Sequence, residues 1–220
     1  MRKSRLRSVA LYGLIPLALT IGARPAAADR GGKASDRPLV FDVHADLPKP
    51  DGGDDRIAVD LLRRGGVDAI AIAAFVPTGP RDAAGYAAAA KALDDRLQAI
   101  RAIAVQHPDE VAIARSADDV RRIVESGRTA IIPSFLNAYS LGEDEHGIAR
   151  LYEAGVRIAG LVHRGNNAFA DSSRLLPDDT PYEHHGLSAL GRRAVAEMNR
   201  LGILIDVSQL TPDGVAQTWR

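Results

Sequence analysis

The chain has 220 residues, 28 basic and 28 acidic side chains, zero formal net charge and no cysteine. That balance argues against a nucleic-acid partner, which needs a basic face, and the missing cysteines exclude a disulfide framework. With 46% hydrophobic residues at this length, one domain with a real core is expected.

The first stretch reads as a signal peptide over residues 1–28. Arg2, Lys3, Arg5 and Arg7 make a positive start, residues 9–22 are apolar, and Pro25-Ala26-Ala27-Ala28 offers small residues for cleavage. Cleavage after Ala28 leaves 192 residues with 23 basic and 28 acidic side chains, a net of −5. The protein is then exported, periplasmic or secreted. The alternative is an uncleaved N-terminal anchor. No later stretch approaches transmembrane length. Residues 29–38 are polar and form a flexible lead into a domain over 39–220.

Leu39-Val40-Phe41 reads as a buried strand that Asp42-Val43 carries to its end. His44-Ala45-Asp46 follows. Strand period two points His44 and Asp46 to one face, and an imidazole beside a carboxylate is half of a hydrolase-type metal site. The alternative is a turn aspartate next to a satisfied histidine. Residues 51–55 form a loop, and 57–64 a short amphipathic segment closed by Gly65-Gly66. Residues 67–76 are an apolar strand. An alanine-rich helix over 82–106 stops before Pro108. A short strand at 111–113 precedes a helix over 117–126 capped by Ser116. Residues 129–135 form a strand whose end Pro133 weakens. A helix over 144–154 and a strand over 156–162 come next.

Residues 188–201 make the clearest helix. Ser188 caps it, Leu190, Ala194, Val195, Met198 and Leu201 form its apolar stripe, and Gly202 stops it. A strand at 203–207 follows, and Pro212 opens a last helix. Alternating strands and helices imply an α/β fold with a parallel sheet, and repeated units of this size suggest a TIM-like (β/α)8 barrel. Only about five main strands are present where a closed barrel has eight. Polar residues cluster just after strands: His44 and Asp46, His163, then Ser208 and Gln209. Asn166 and Asn167 read as shaping the loop after His163, and Asp171-Ser172 as a turn or cap. His184-His185 reads as a loop pair, and His107 and His146 as solvated.

Three segments resemble the membrane (renal) dipeptidase family: FDVHADLP from Phe41, LYEAGVRIAGLVHRGNNAFADS from Leu151 and GLSALGRRAVAEMNRLGILIDVS from Gly186. The resemblance implies a zinc metallopeptidase barrel that hydrolyses dipeptides through a metal-bound hydroxide. It assigns His44 and Asp46 as metal ligands and His163 as the residue that polarises the scissile carbonyl. Leu136 falls where the family has a glutamate bridging two zinc ions, and Gln209 where it has a zinc histidine. The family's barrel continues past residue 220, so the barrel here is expected to be incomplete. Two readings follow: an exported zinc dipeptidase, or a non-catalytic or truncated relative acting as a binding module. A dipeptide is the implied partner, and a homodimer is left open.

Overall fold

The computed structural model describes residues 38–46 and 55–219. The expected signal peptide, nearly all of the lead and the 51–54 part of the first loop lie outside the described residues. In chain order the elements are β1 (Phe41–Asp46), α1 (Asp55–Arg64), β2 (Ala69–Phe75), α2 (Ala83–Gln106), β3 (Val111–Ile113), α3 (Ala117–Glu125), β4 (Thr129–Leu136), α4 (Gly147–Glu153), β5 (Ile158–Gly160), α5 (Ala189–Leu201), β6 (Leu204–Asp206) and α6 (Pro212–Thr218). The strands form one parallel sheet in the order β1-β2-β4-β5-β6, with β3 on β4. The sheet curls into a half-barrel, so the α/β barrel class holds, and the described residues form part of a barrel.

The helix limits follow local chemistry. The Asp82 side chain accepts from the Gly85 amide at 2.8 Å and starts α2. Ser116 and Ser188 do the same for α3 and α5, and Gly202 ends α5 in the left-handed region at φ 76°. The stretch expected to be helical over 144–154 is shorter, because a 3-10 turn at Ala138–Leu141 and a loop occupy the space before α4.

Pro133 lies inside β4 rather than ending it. On that edge of β4, Ile131 accepts from Ala114 beyond β3, and Pro133 accepts from Arg157 before β5. The proline therefore falls at the changeover between two short neighbours, where its missing N–H breaks no ladder bond. One side of the sheet packs on α2, α4 and α5 through Ile70, Ile72, Ile131 and Phe135. The other side places Ala69, Ala71, Ala130 and Ile132 against Ile123 of α3. The small alanine side chains on this face let α3 pack close to the strands. At the ends of the path Val43 is 65% and Leu204 64% exposed, so β1, expected to be buried, is an edge strand like β6 among the described residues.

Candidate active site

Strand β1 runs through His44, Ala45 and Asp46 instead of ending before them. A register shift against β2 between Asp42 and Ala45 inserts one residue, a bulge that re-aims the strand end. Ala45 packs on the core, while His44 and Asp46 line a pocket of about 300 Å³ at the C-terminal ends of the strands. His163, Leu136 and Gln209 line the same pocket. The structure thus brings together all five residues that the sequence singled out. Ala73, Phe75 and Arg96 complete the lining, and sequence reasoning missed all three.

His163 follows β5 by three residues. Its ring rests against Phe75, with centroids 4.5 Å apart and planes tilted by 59°. Its carbonyl accepts from the Ser172 hydroxyl. Asn137, directly after Leu136, holds the strand ends beneath it. This fully buried asparagine sits at φ 81°. Its amide donates to the Val76 carbonyl at 2.9 Å and the Thr78 hydroxyl at 3.0 Å. Its oxygen accepts from the Asn167 amide at 3.1 Å, and Asn167 also donates to Leu161 at 2.8 Å. The ends of β2, β4 and β5 are therefore tied by two asparagines. Asn166 accepts from the Ser172 amide at 2.9 Å, so both loop asparagines act as expected.

The long loop between β5 and α5 is braced from within. Buried Asp171 accepts from the backbone amides of His184 and Gly186, each at 3.0 Å. It is a loop brace rather than a helix cap. Arg81 reaches Glu183 with two bonds of 2.8 Å, and this pairing holds the Glu183 carboxyl below the usual range. His184 contacts the Asn167 carbonyl at 2.9 Å, a structural role. His107 pairs with Glu110 at 3.5 Å with its side chain only 10% exposed, and so is not the solvated residue expected.

Desolvation pushes the His163 imidazole below its ordinary value of about 6.5, with Arg174 ahead of Arg164 and His44 adding repulsion and Asp46 opposing them. The neutral ring is favoured at neutral pH, with an N–H to offer an acceptor. Proton NMR titration of the metal-free chain should give a His163 midpoint below 6.5. Because the depressed value favours the neutral folded form, its stabilising contribution is present above the unfolded value and is lost as pH falls through the folded one. A midpoint above 6.5 would contradict this burial argument.

The residues fit a single metal ion loosely and a metal pair not at all. His44 and Asp46 are good ligands. The Gln209 side-chain oxygen is buried without a hydrogen-bond partner, and its residue sits at φ 66°. It is a neutral third donor, which zinc accepts less readily than imidazole. Leu136 has no lone pair for bridging two cations. Among the described residues no cluster of three His, Cys, Asp or Glu side chains could hold a metal.

Comparison with known proteins places these features. The chain matches the family model for membrane dipeptidases, peptidase family M19, over residues 37–220. The solved structure of the probable dipeptidase PvdM from Pseudomonas aeruginosa superposes with a TM-score of 0.75 at 33% identity, covering 84% of this chain and 50% of that one. The dipeptidase tcpJ of Claviceps purpurea is 36% identical over 105 residues, 48% of this chain and 24% of tcpJ. The dipeptidase verJ of Clonostachys rogersoniana is 29% identical over 157 residues, 68% of this chain and 39% of verJ. The chain therefore spans half or less of the length of these relatives. A match that spans all of the described residues means that the chain belongs to the membrane dipeptidase family.

Proposed function

We propose that the protein acts on dipeptides, as an exported zinc-dependent dipeptidase whose metal site is weakened in this chain. One observation carries the reading: His44, Asp46 and His163 converge on one pocket at the C-terminal ends of parallel strands, the place where such barrels do their chemistry. Family membership supports dipeptide hydrolysis and general dependence on metal. Zinc is the proposed ion, with His44 and Asp46 to hold it; when bound, it supplies an activated water. His163 donates an N–H toward the carbonyl oxygen of the scissile bond, where negative charge develops. Phe75 and the Ser172 hydroxyl fix the ring and backbone of His163, so the donor is oriented before substrate arrives.

Hydrolysis is expected to be slow. Leu136 and Gln209 replace two metal ligands, and members of such a unit fail together rather than additively. The test is a dipeptide panel with added zinc, including a D-residue on the C-terminal side. The expected result is turnover well below ~10 s⁻¹ that disappears in His44→Ala. Binding and hydrolysis both absent, with and without zinc, would overturn the reading. Export rests on the charged start, the apolar stretch and the Ala26-Ala27-Ala28 site. Among the described residues no helix is long and apolar enough to cross a membrane. N-terminal sequencing of exported material should begin at Asp29; an intact Met1 on that material would contradict cleavage.

A further inference from the structure

We propose that Asn166 is a positioning residue for His163, aiming the imidazole through Ser172. The inference rests on the dipeptide reading for what His163 does, and adds what holds it in place. A histidine that donates from one ring nitrogen is ordinarily oriented by a partner on the other. His163 is not: among the described residues neither ring nitrogen makes a hydrogen bond. The ring only rests against Phe75, with centroids 4.5 Å apart. A contact of this kind limits the ring on one side and leaves its direction to the backbone that carries it. That backbone is held by the Ser172 hydroxyl, which donates to the His163 carbonyl.

Ser172 is in turn fixed by Asn166. The Ser172 amide donates to Asn166 Oδ1 at 2.9 Å, and Asn166 Nδ2 donates to the Thr180 carbonyl at 2.9 Å. The Asn166 backbone amide donates to Asp179 Oδ2 at 3.1 Å, and the same oxygen accepts from the Leu176 amide at 2.7 Å. Residues 176–180 thus form a strap that grips Asn166 from outside. The strap also rests on the turn before it: Gly165 sits at φ 87°, and a Cβ there would stand 2.7 Å from Leu176. Asn166 is fully buried, so water does not compete for these bonds. The contacts run without a gap from Asp179 to Asn166, Ser172 and His163. A carboxamide is what this place requires, with an acceptor facing Ser172 and a donor facing Thr180 in one planar group. Aspartate has the same shape but turns a carboxylate oxygen on the Thr180 carbonyl. Asn166→Asp therefore breaks the relay without emptying the space.

The experiment is proton NMR of the whole chain in EDTA, joined to dipeptide kinetics with added zinc. The Phe75 ring current displaces the His163 ring-proton resonances; His163→Gln assigns them and Phe75→Leu calibrates the displacement. Asn166→Asp and Ser172→Ala are each expected to lose most of it, while Ser172→Thr keeps the hydroxyl and retains it. The His107 and His146 resonances should stay in place. A fold loosened as a whole would move them as well, so the comparison separates positioning from packing. In the kinetics Asn166→Asp should lower kcat by about 10–100-fold with KM nearly unchanged, since misplacing a reacting group by ~1 Å costs up to about 100-fold. If Asn166→Asp does not fold, the two Ser172 variants decide. His163 resonances at their parent positions in folded Asn166→Asp or in Ser172→Ala overturn the inference. Equal loss in Ser172→Thr and Ser172→Ala also overturns it, because the hydroxyl then plays no part. The NMR arm needs no substrate: displacement lost as expected in a chain that neither binds nor hydrolyses dipeptides upholds the positioning and fails the dipeptide reading.

Discussion

The double variant Leu136→Glu, Gln209→His is expected to bind two zinc ions per chain where the parent holds at most one, and to gain dipeptide turnover by orders of magnitude. Leu136 ends β4 in register with Phe75 of β2 and Gly160 of β5. Its side chain lies over Gly160, where an added Cβ would stand 3.1 Å from a Leu136 methyl. A glutamate carboxylate at that place stands at the pocket that His44 and Gln209 also line, and it can offset the repulsion between two cations. Gln209 already holds a left-handed φ of 66°, a region where histidine is several-fold enriched over most side chains. The second substitution therefore adds an imidazole without new backbone strain. Outer-shell changes at metal sites cost 10–100-fold in affinity, and restored direct ligands should gain about as much or more each. Elemental analysis and a zinc-dependent hydrolysis assay read the result. A variant that folds like the parent yet gains neither metal nor rate would show that Leu136 and Gln209 are not what weakens the site.

Asn137→Ala is expected to destabilise the fold by roughly 2–4 kcal/mol, a large share of a typical total. Alanine removes the amide that satisfies Val76 and Thr78 and the oxygen that accepts from Asn167 and Tyr139. It also leaves a Cβ-bearing residue at φ 81° without the local bonds that asparagine uses there. Asn137→Gly relieves the backbone and loses only the hydrogen bonds, so it should fall between parent and alanine. Urea unfolding with an unchanged m-value measures both. A cost below about 0.5 kcal/mol for Asn137→Ala, the usual effect of an inconsequential surface change, would mean that the asparagine pair does not hold the strand ends together.

Much of this fold is readable along the chain because its signals are local. Ser188, the 3.6-period stripe and Gly202 define α5 without help from any distant residue, and Asp82 and Ser116 mark their helices in the same way. The long-range features are hidden. The bulge in β1 exists only against the register of β2, so strand one seemed to stop before His44. Pro133 looks like a strand breaker until β3 and β5 are seen to meet beside it. Leu39-Val40-Phe41 reads as buried from its apolar letters, yet it is exposed because the sheet path ends at β1 among the described residues. The five site residues were legible from motif spacing and family resemblance. Arg96 was not, because one arginine in an alanine-rich helix looks like a solvated face. Its position between Leu93 and Ile100 was the available signal.

Zinc content per chain after exhaustive dialysis tests the weakened metal site most directly. On the proposed reading His44 and Asp46 hold the metal, Gln209 offers one neutral oxygen, and Leu136 offers none. The expected value is at most one ion per chain, held weakly enough to fall further on repeated dialysis and to vanish in His44→Ala. Two ions retained per chain would contradict it and would mean that residues outside this pocket complete a paired site.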